Sequence, residues 1–136
     1  MVCVHCGSET KVINSRPQKR NNQVWRRRQC VNCKAVFTSE EQVAYSASWS
    51  IKTDSGKMLP FNRDKLFLSL YECCKHRKTA SEDAAALTDT IIKKDAPNVN
   101  NGVVDMRTVA QVSLVALNRF DKAAGVQYQA YHISKS

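Results

Sequence analysis

The chain has 136 residues and a formal net charge of +9, from 21 Lys/Arg against 12 Asp/Glu. That length allows one ordinary domain or two small ones. There is no apolar run near the roughly 18 residues that a membrane span needs, and the opening Met-Val-Cys-Val-His lacks the charged and apolar regions of a secretory signal, so the expectation is a cytoplasmic protein with no membrane partner.

The charge is concentrated at the N-terminal end. Residues 1–38 carry eight Lys/Arg (Lys11, Arg16, Lys19, Arg20, Arg26, Arg27, Arg28 and Lys34) against the single acid Glu9, a net of +7, while the remaining 98 residues carry only +2. The same stretch holds Cys3-x-x-Cys6 and Cys30-x-x-Cys33, separated by 23 residues. Two such knuckles predict a closed tetrathiolate site for one Zn²⁺ per chain, with all four positions taken and none left for catalysis. A disulfide pair would need an oxidising compartment, and a redox C-x-x-C is usually single and opens a helix. A segment of this size cannot bury enough apolar surface to fold alone, so the metal must supply much of its folding free energy. Dense positive charge on so small a unit favours a polyanion, nucleic acid first; charge alone leaves DNA, RNA, an acidic protein and a merely solvated face open.

In chain order, residues 10–14, 24–29 and 34–38 read as three short strands, with Pro17 and Asn21-Asn22 in the turn between the first two. Strand alternation puts Arg26 and Arg28 on one face, with Trp25 and Arg27 on the other, and the expectation is that Arg26 and Arg28 meet phosphates or base edges while Trp25 packs beneath. Residues 39–48 read as a connector rich in small residues. Asp54-Ser55-Gly56 between short extended segments predicts a hairpin, and Asn62 predicts the cap of a helix over about 63–76 whose inward stripe is Leu66, Leu70, Cys73 and Cys74. Thr79-x-x-Glu82 reads as a capping box for a helix over about 80–94. Asp105 predicts a third helix to Phe120 with the stripe Val109, Val112, Ala116 and Phe120, and residues 121–134 a fourth, which Gly125 weakens. The predicted fold class is α+β: a β zinc ribbon over 1–45, then a mainly helical domain over 46–136 that starts with a β-hairpin.

Lys52, Lys57 and Lys65 lie around the hairpin and the start of the first helix, where lysines and a helix N-terminus suit phosphate groups. The chain has no GxxxxGK[ST] loop and no arrangement of nucleophile, base and orienting acid, so an enzyme is not expected.

The order of these features resembles the NrdR family of bacterial transcriptional repressors of ribonucleotide reductase genes. The matching pieces are the paired knuckles, Ser15-Arg16-Pro17, the Arg26–Arg28 run, Phe37-Thr38, and Lys52…Gly56…Pro60-Phe61…Lys65-Leu66, the last of which is similar to an ATP-cone. The resemblance implies zinc on Cys3, Cys6, Cys30 and Cys33, and double-stranded operator DNA on Arg16, Arg26, Arg27 and Arg28. It further implies ATP and dATP as allosteric ligands near Ile51, Lys52, Lys57 and Lys65, and a homo-oligomer whose state follows the nucleotide. The chain departs from the family pattern at several places: Trp25 opens what is a four-arginine run, Asn14 replaces an Asp, the hairpin holds an extra residue near Ser55, and Leu59 replaces a Glu. Arg77-Lys78 stands for Arg-Pro, and Gly125-Val126-Gln127-Tyr128 for Tyr-x-Arg-Phe. The rival reading is a zinc-ribbon adaptor whose cone-like domain binds a protein and no nucleotide.

Overall fold

A computed structural model describes residues 1–133. The chain divides into two compact units, Met1–Val43 and a second that begins at Ala44.

The first unit is a three-stranded antiparallel sheet in the order β1-β2-β3, with β1 at Thr10–Gln18, β2 at Gln23–Cys30 and β3 at Val36–Gln42. Its strands are longer than the sequence pattern indicates. Pro17 does not turn the chain: it lies in β1 opposite Val24, tolerated because β1 is an edge strand. The reversal comes later, with Asn22 at a positive φ of 51°. Residues 39–42 are likewise strand rather than connector, because β2 extends far enough to pair Trp25 with Glu40 and Gln23 with Gln42. The unit has almost no interior. Among its described side chains only Cys3 and Cys30 are buried.

The second unit begins with a short helix, α1 (Tyr45–Ser48), inside the stretch expected to be connector. A three-stranded sheet follows in the order β5-β4-β6, where β4 is Ser50–Lys52, β5 is Met58–Pro60 and β6 is Val103–Asp105. The expected hairpin is β4–β5, closed by Thr53 N donating to the Lys57 carbonyl at 2.8 Å. The third strand, parallel to β4, has no counterpart in the sequence pattern. Three residues are too few to display a period, and β6 sits directly after the Asn101-Gly102 turn.

Four longer helices complete the unit: α2 (Arg63–Cys74), α3 (Ala80–Asp95), α4 (Met106–Phe120) and α5 (Lys122–Tyr128), the last running into a π-type turn over Gln129–Ile133. The stripe expected on α2 is buried in full, and it packs with Leu87 and Ile91 of α3, Val109, Ala116 and Leu117 of α4, and Ala124 and Tyr128 of α5. Burial pushes the Cys73 thiol up to about 11, which fits a core residue rather than a ligand. The expected α4 stripe is half right: Val109 and Ala116 are buried, but Phe120 is 39% exposed, and the Arg77 guanidinium lies 4.5 Å from its ring centre. Asn62 caps α2 as expected, accepting from Lys65 N at 3.0 Å.

The capping box at Thr79 does not form. The Thr79 hydroxyl donates instead to the Asp83 carboxylate at 2.7 Å, because Arg77 draws that carboxylate to itself at 2.8 Å. Arg77 also reaches Asp121 at 3.0 Å, and His76 reaches the same oxygen at 2.9 Å. Asp121 accepts from the amides of Ala123 and Ala124 and so caps α5. His76, the Ala124 amide and Arg77 hold the Asp121 carboxyl below the ordinary range, and Arg77 with Thr79 does the same for Asp83. Gly125 is no accident of a weak helix. A Cβ there would stand 3.2 Å from Asn118 Cα and inside the Asn118 side chain, so α4 and α5 approach this closely only with glycine at that position.

Asp95 ends α3 fully buried, and neither carboxylate oxygen has a hydrogen-bond partner. Burial raises its titration to about 7, so the fold accommodates the protonated form. The stability that this proton preference lends is complete below the unfolded value near 4 and is lost as pH rises through 7. Asp83 and Asp121 act in the opposite direction and below this window. We expect the thermal midpoint of the second unit to fall between pH 5 and pH 8. An Asp95→Asn variant should remove most of that decline and exceed the native chain at pH 8, by an amount on the order of a few kcal/mol. Parallel pH profiles of the two proteins by circular dichroism would count against this account.

Candidate metal centre and basic ribbon

The two knuckles are built by backbone turns that aim sulfur inward. Cys3 N donates to the Ser8 carbonyl at 2.7 Å and Cys30 N to the Ala35 carbonyl at 2.9 Å, while Val31 N donates to Glu9 and ties the knuckles together. All four Sγ atoms lie within 4.8 Å of one another. Cys3 and Cys33 are 3.7 Å apart, and Cys6 and Cys30 3.5 Å. Four sulfurs about 2.3 Å from a central ion stand about 3.8 Å apart, so the donor set fits Zn²⁺. Backbone amides already point at the sulfurs, as a thiolate requires: His5 N to Cys3 at 3.3 Å, and Asn32 N and Cys33 N to Cys30, each at 3.4 Å. His5 contributes that amide to the knuckle.

Without a cation the four groups cannot all ionise. Ser8 donors hold Cys6 down to about 5. Against the lowering pull of the Ala35 amide, burial and the neighbouring sulfurs push Cys33 up to about 11. A cluster so divided is completed by a dication that makes every thiolate favourable.

The basic residues are carried by the sheet that this cluster closes. Cys30 is the last residue of β2, and Arg26, Arg27 and Arg28 precede it in the same strand. Arg28 donates to Ser39 at 3.0 Å and to Thr10 at 3.4 Å, and Arg26 to Ser15 at 2.9 Å, with Glu41 3.8 Å away. Arg27 donates to Thr38 at 3.2 Å. Arg16 lies in β1 directly opposite Trp25. Trp25 does not pack beneath the arginines. It is 41% exposed, because a single sheet with no second layer has nothing to cover it.

In the second unit, Ile51 is half-buried at the centre of β4, paired with Leu59 on one side and Val104 on the other. Lys52, opposite Met58 and Asp105, belongs to the other face of that sheet. Lys57 closes the hairpin turn and Lys65 lies in the first turn of α2, both exposed. Arg107 carries no signal in the sequence. It bonds Asp54 in the hairpin turn at 2.9 Å, a pairing across 53 residues that no local pattern reveals.

Residues 1–41 match the profile described as the N-terminal domain of NrdR-like transcriptional repressors. A protein of Symbiobacterium thermophilum named transcriptional repressor NrdR is 35% identical over 127 residues, covering 88% of this chain and 84% of its own. The chain belongs to the NrdR family. Relatives of the same name from Nitrosomonas europaea and Geobacter sulfurreducens are 31% and 29% identical, each over 98% of this chain. The family is regulatory rather than enzymatic, its N-terminal unit is a zinc ribbon, and no described helix here is long and apolar enough to cross a membrane.

Replacing one ligand removes a thiolate that no other residue in the unit can supply. In Cys30→Ser, zinc content should fall well below one ion per chain and the ribbon should unfold, while the helical signal of α2–α5 persists. Full zinc occupancy with an intact sheet, measured by metal analysis and circular dichroism, would contradict the assignment.

Proposed function

We propose that the chain is a zinc-dependent transcriptional repressor that binds double-stranded operator DNA upstream of ribonucleotide reductase genes. The observation that carries the reading is the juxtaposition of the four-sulfur cluster with a strand of three consecutive arginines that it anchors. Relatives named as transcriptional repressors, aligned over 88% and 98% of this chain, support it. In this reading the first unit is the DNA-binding domain, with Cys3, Cys6, Cys30 and Cys33 on zinc and Arg16, Arg26, Arg27 and Arg28 supplying the positive charge that draws the phosphates. The second unit is an ATP-cone that senses ATP and dATP through Ile51, Lys52, Lys57 and Lys65 and changes the oligomeric state of the protein. The regulator works in the cytoplasm, associated with the nucleoid when bound to DNA.

Two measurements test the two halves. With zinc retained, an Arg26→Ala/Arg27→Ala/Arg28→Ala variant should reduce the slope of log K against log salt by about 0.9 for each phosphate that is no longer neutralised. An unchanged slope would leave the basic run merely solvated. Native mass spectrometry with ATP, with dATP and with neither should give different subunit counts, with the dATP-loaded form binding DNA more tightly. A ligand shifts assembly only if it binds one assembly better than another. No bound nucleotide would instead favour the adaptor reading, and bound nucleotide with an unchanged mass distribution would show that the chain is not a switch of this kind.

A further inference from the structure

The two faces of the ribbon sheet are chemically different. Residues directly opposite across a ladder share a face. From the register, one face carries Val24, Arg26, Arg28 and Cys30 of β2, flanked by Val12, Ser15 and Pro17 of β1 and by Phe37, Ser39 and Glu41 of β3. Its β2 residues are half-buried or buried, and its two arginines are engaged with Ser15, Ser39 and Thr10. The other face carries Trp25, Arg27 and Gln29, flanked by Lys11, Asn14 and Arg16 and by Val36, Thr38 and Glu40. There Trp25 and Arg27 are exposed, and Asn14, Ser15, Arg16, Trp25, Arg27 and Thr38 line a shallow depression of about 200 Å³.

We propose that duplex DNA lies against the Arg16–Trp25–Arg27 face, with the two arginines on phosphates and the indole packed against the sugar–phosphate wall between them. The inference rests on the DNA-binding reading above and assigns its contact surface. Lys11, Arg16 and Arg27 against the single acid Glu40 make this face the more cationic of the two. Apart from Val36 and Trp25, its remaining side chains, Asn14, Gln29 and Thr38, are amides and a hydroxyl able to hydrogen-bond phosphate oxygens. Trp25 supplies what a further arginine would not: flat apolar contact that does not depend on salt. Arg26 and Arg28 brace the strand and contribute charge at longer range.

Two isosteric charge removals at adjacent positions decide between the faces, since Glu40 and Glu41 are both exposed and neither is a contact residue in this proposal. Full-length zinc-loaded protein would be titrated onto a labelled mixed-sequence duplex at low salt. Glu40→Gln should bind about fivefold more tightly than the native chain, as expected for removing one charge beside a phosphate. Glu41→Gln, on the opposite face, should change affinity less than about twofold. DNA should also quench the indole emission that is lost in Trp25→Phe. A gain from Glu41→Gln equal to or larger than that from Glu40→Gln, or DNA binding that leaves Trp25 emission unchanged, would overturn the assignment of the face. Absence of any duplex binding by the native chain would instead overturn the DNA-binding reading itself.

Discussion

Four sulfurs brought within 4.8 Å of one another are the constraint on which the first unit depends. A three-stranded sheet exposed on both faces has little apolar area to bury, and here the buried side chains are two of the cysteines themselves. The stabilisation that a larger domain takes from its core comes in this unit from metal coordination. The arrangement also governs how much charge the strands can carry. Arginines packed on a thin strand repel one another, and a marginal hydrophobic core would tolerate that poorly. A closed metal site instead fixes one end of the sheet, where β1 and β3 begin and β2 ends, whatever its faces carry, which leaves both faces free to be polar.

The second unit is held by ordinary means, with a charged clasp around Arg77 at its periphery. Arg77 joins Asp83, at the start of α3, to Asp121, at the start of α5, while its guanidinium covers Phe120. One side chain therefore ties together the α2–α3 and α4–α5 junctions, and it explains why Phe120 departs from the buried stripe of its own helix. The ion pairs are partly exposed, so their value lies more in fixing junction geometry than in net stabilisation. Close packing does the rest: Gly125 lets α5 lie against Asn118 of α4, and a side chain at that position would hold the two helices apart.

What can be read from the sequence follows from the range of each interaction. The zinc site is legible because a tetrahedron of sulfurs imposes a spacing of residue types that little else imposes. Helices α2 to α4 are legible from stripes such as Leu66, Leu70 and Cys74, which repeat within one element. Strand β6 is not, because Val103–Asp105 is defined only by its partner β4, some fifty residues away. The same holds for Arg107 with Asp54, and for the diversion of Thr79 from capping to Asp83. Trp25 departs from expectation for a different reason. Alternation gives the face of a residue, but whether that face is covered depends on a second layer, and this unit has none. Helix propensity reads Gly125 as a weakness, whereas its determinant is a neighbouring helix.

The position of the nucleotide candidates limits how such a site could work. Ile51 and Leu59 share the half-buried face of the small sheet, whereas Lys52 belongs to the opposite face. A ligand cannot pass through a sheet, so one molecule could engage both Ile51 and Lys52 only at the end of β4, where Lys52 gives way to the turn at Thr53. At that end the contacts available to a base would be apolar, from Ile51 and Leu59, and those available to phosphates would come from flexible lysines. Neither kind distinguishes a ribose from a deoxyribose. Discrimination of that sort needs a polar group that pairs the 2′-hydroxyl or a wall that excludes it. Leu59, which the resemblance sets at the place of a glutamate, can serve only as a wall. If this chain separates ATP from dATP, the selection must therefore come from steric exclusion at Leu59 or from polar groups outside the four candidates.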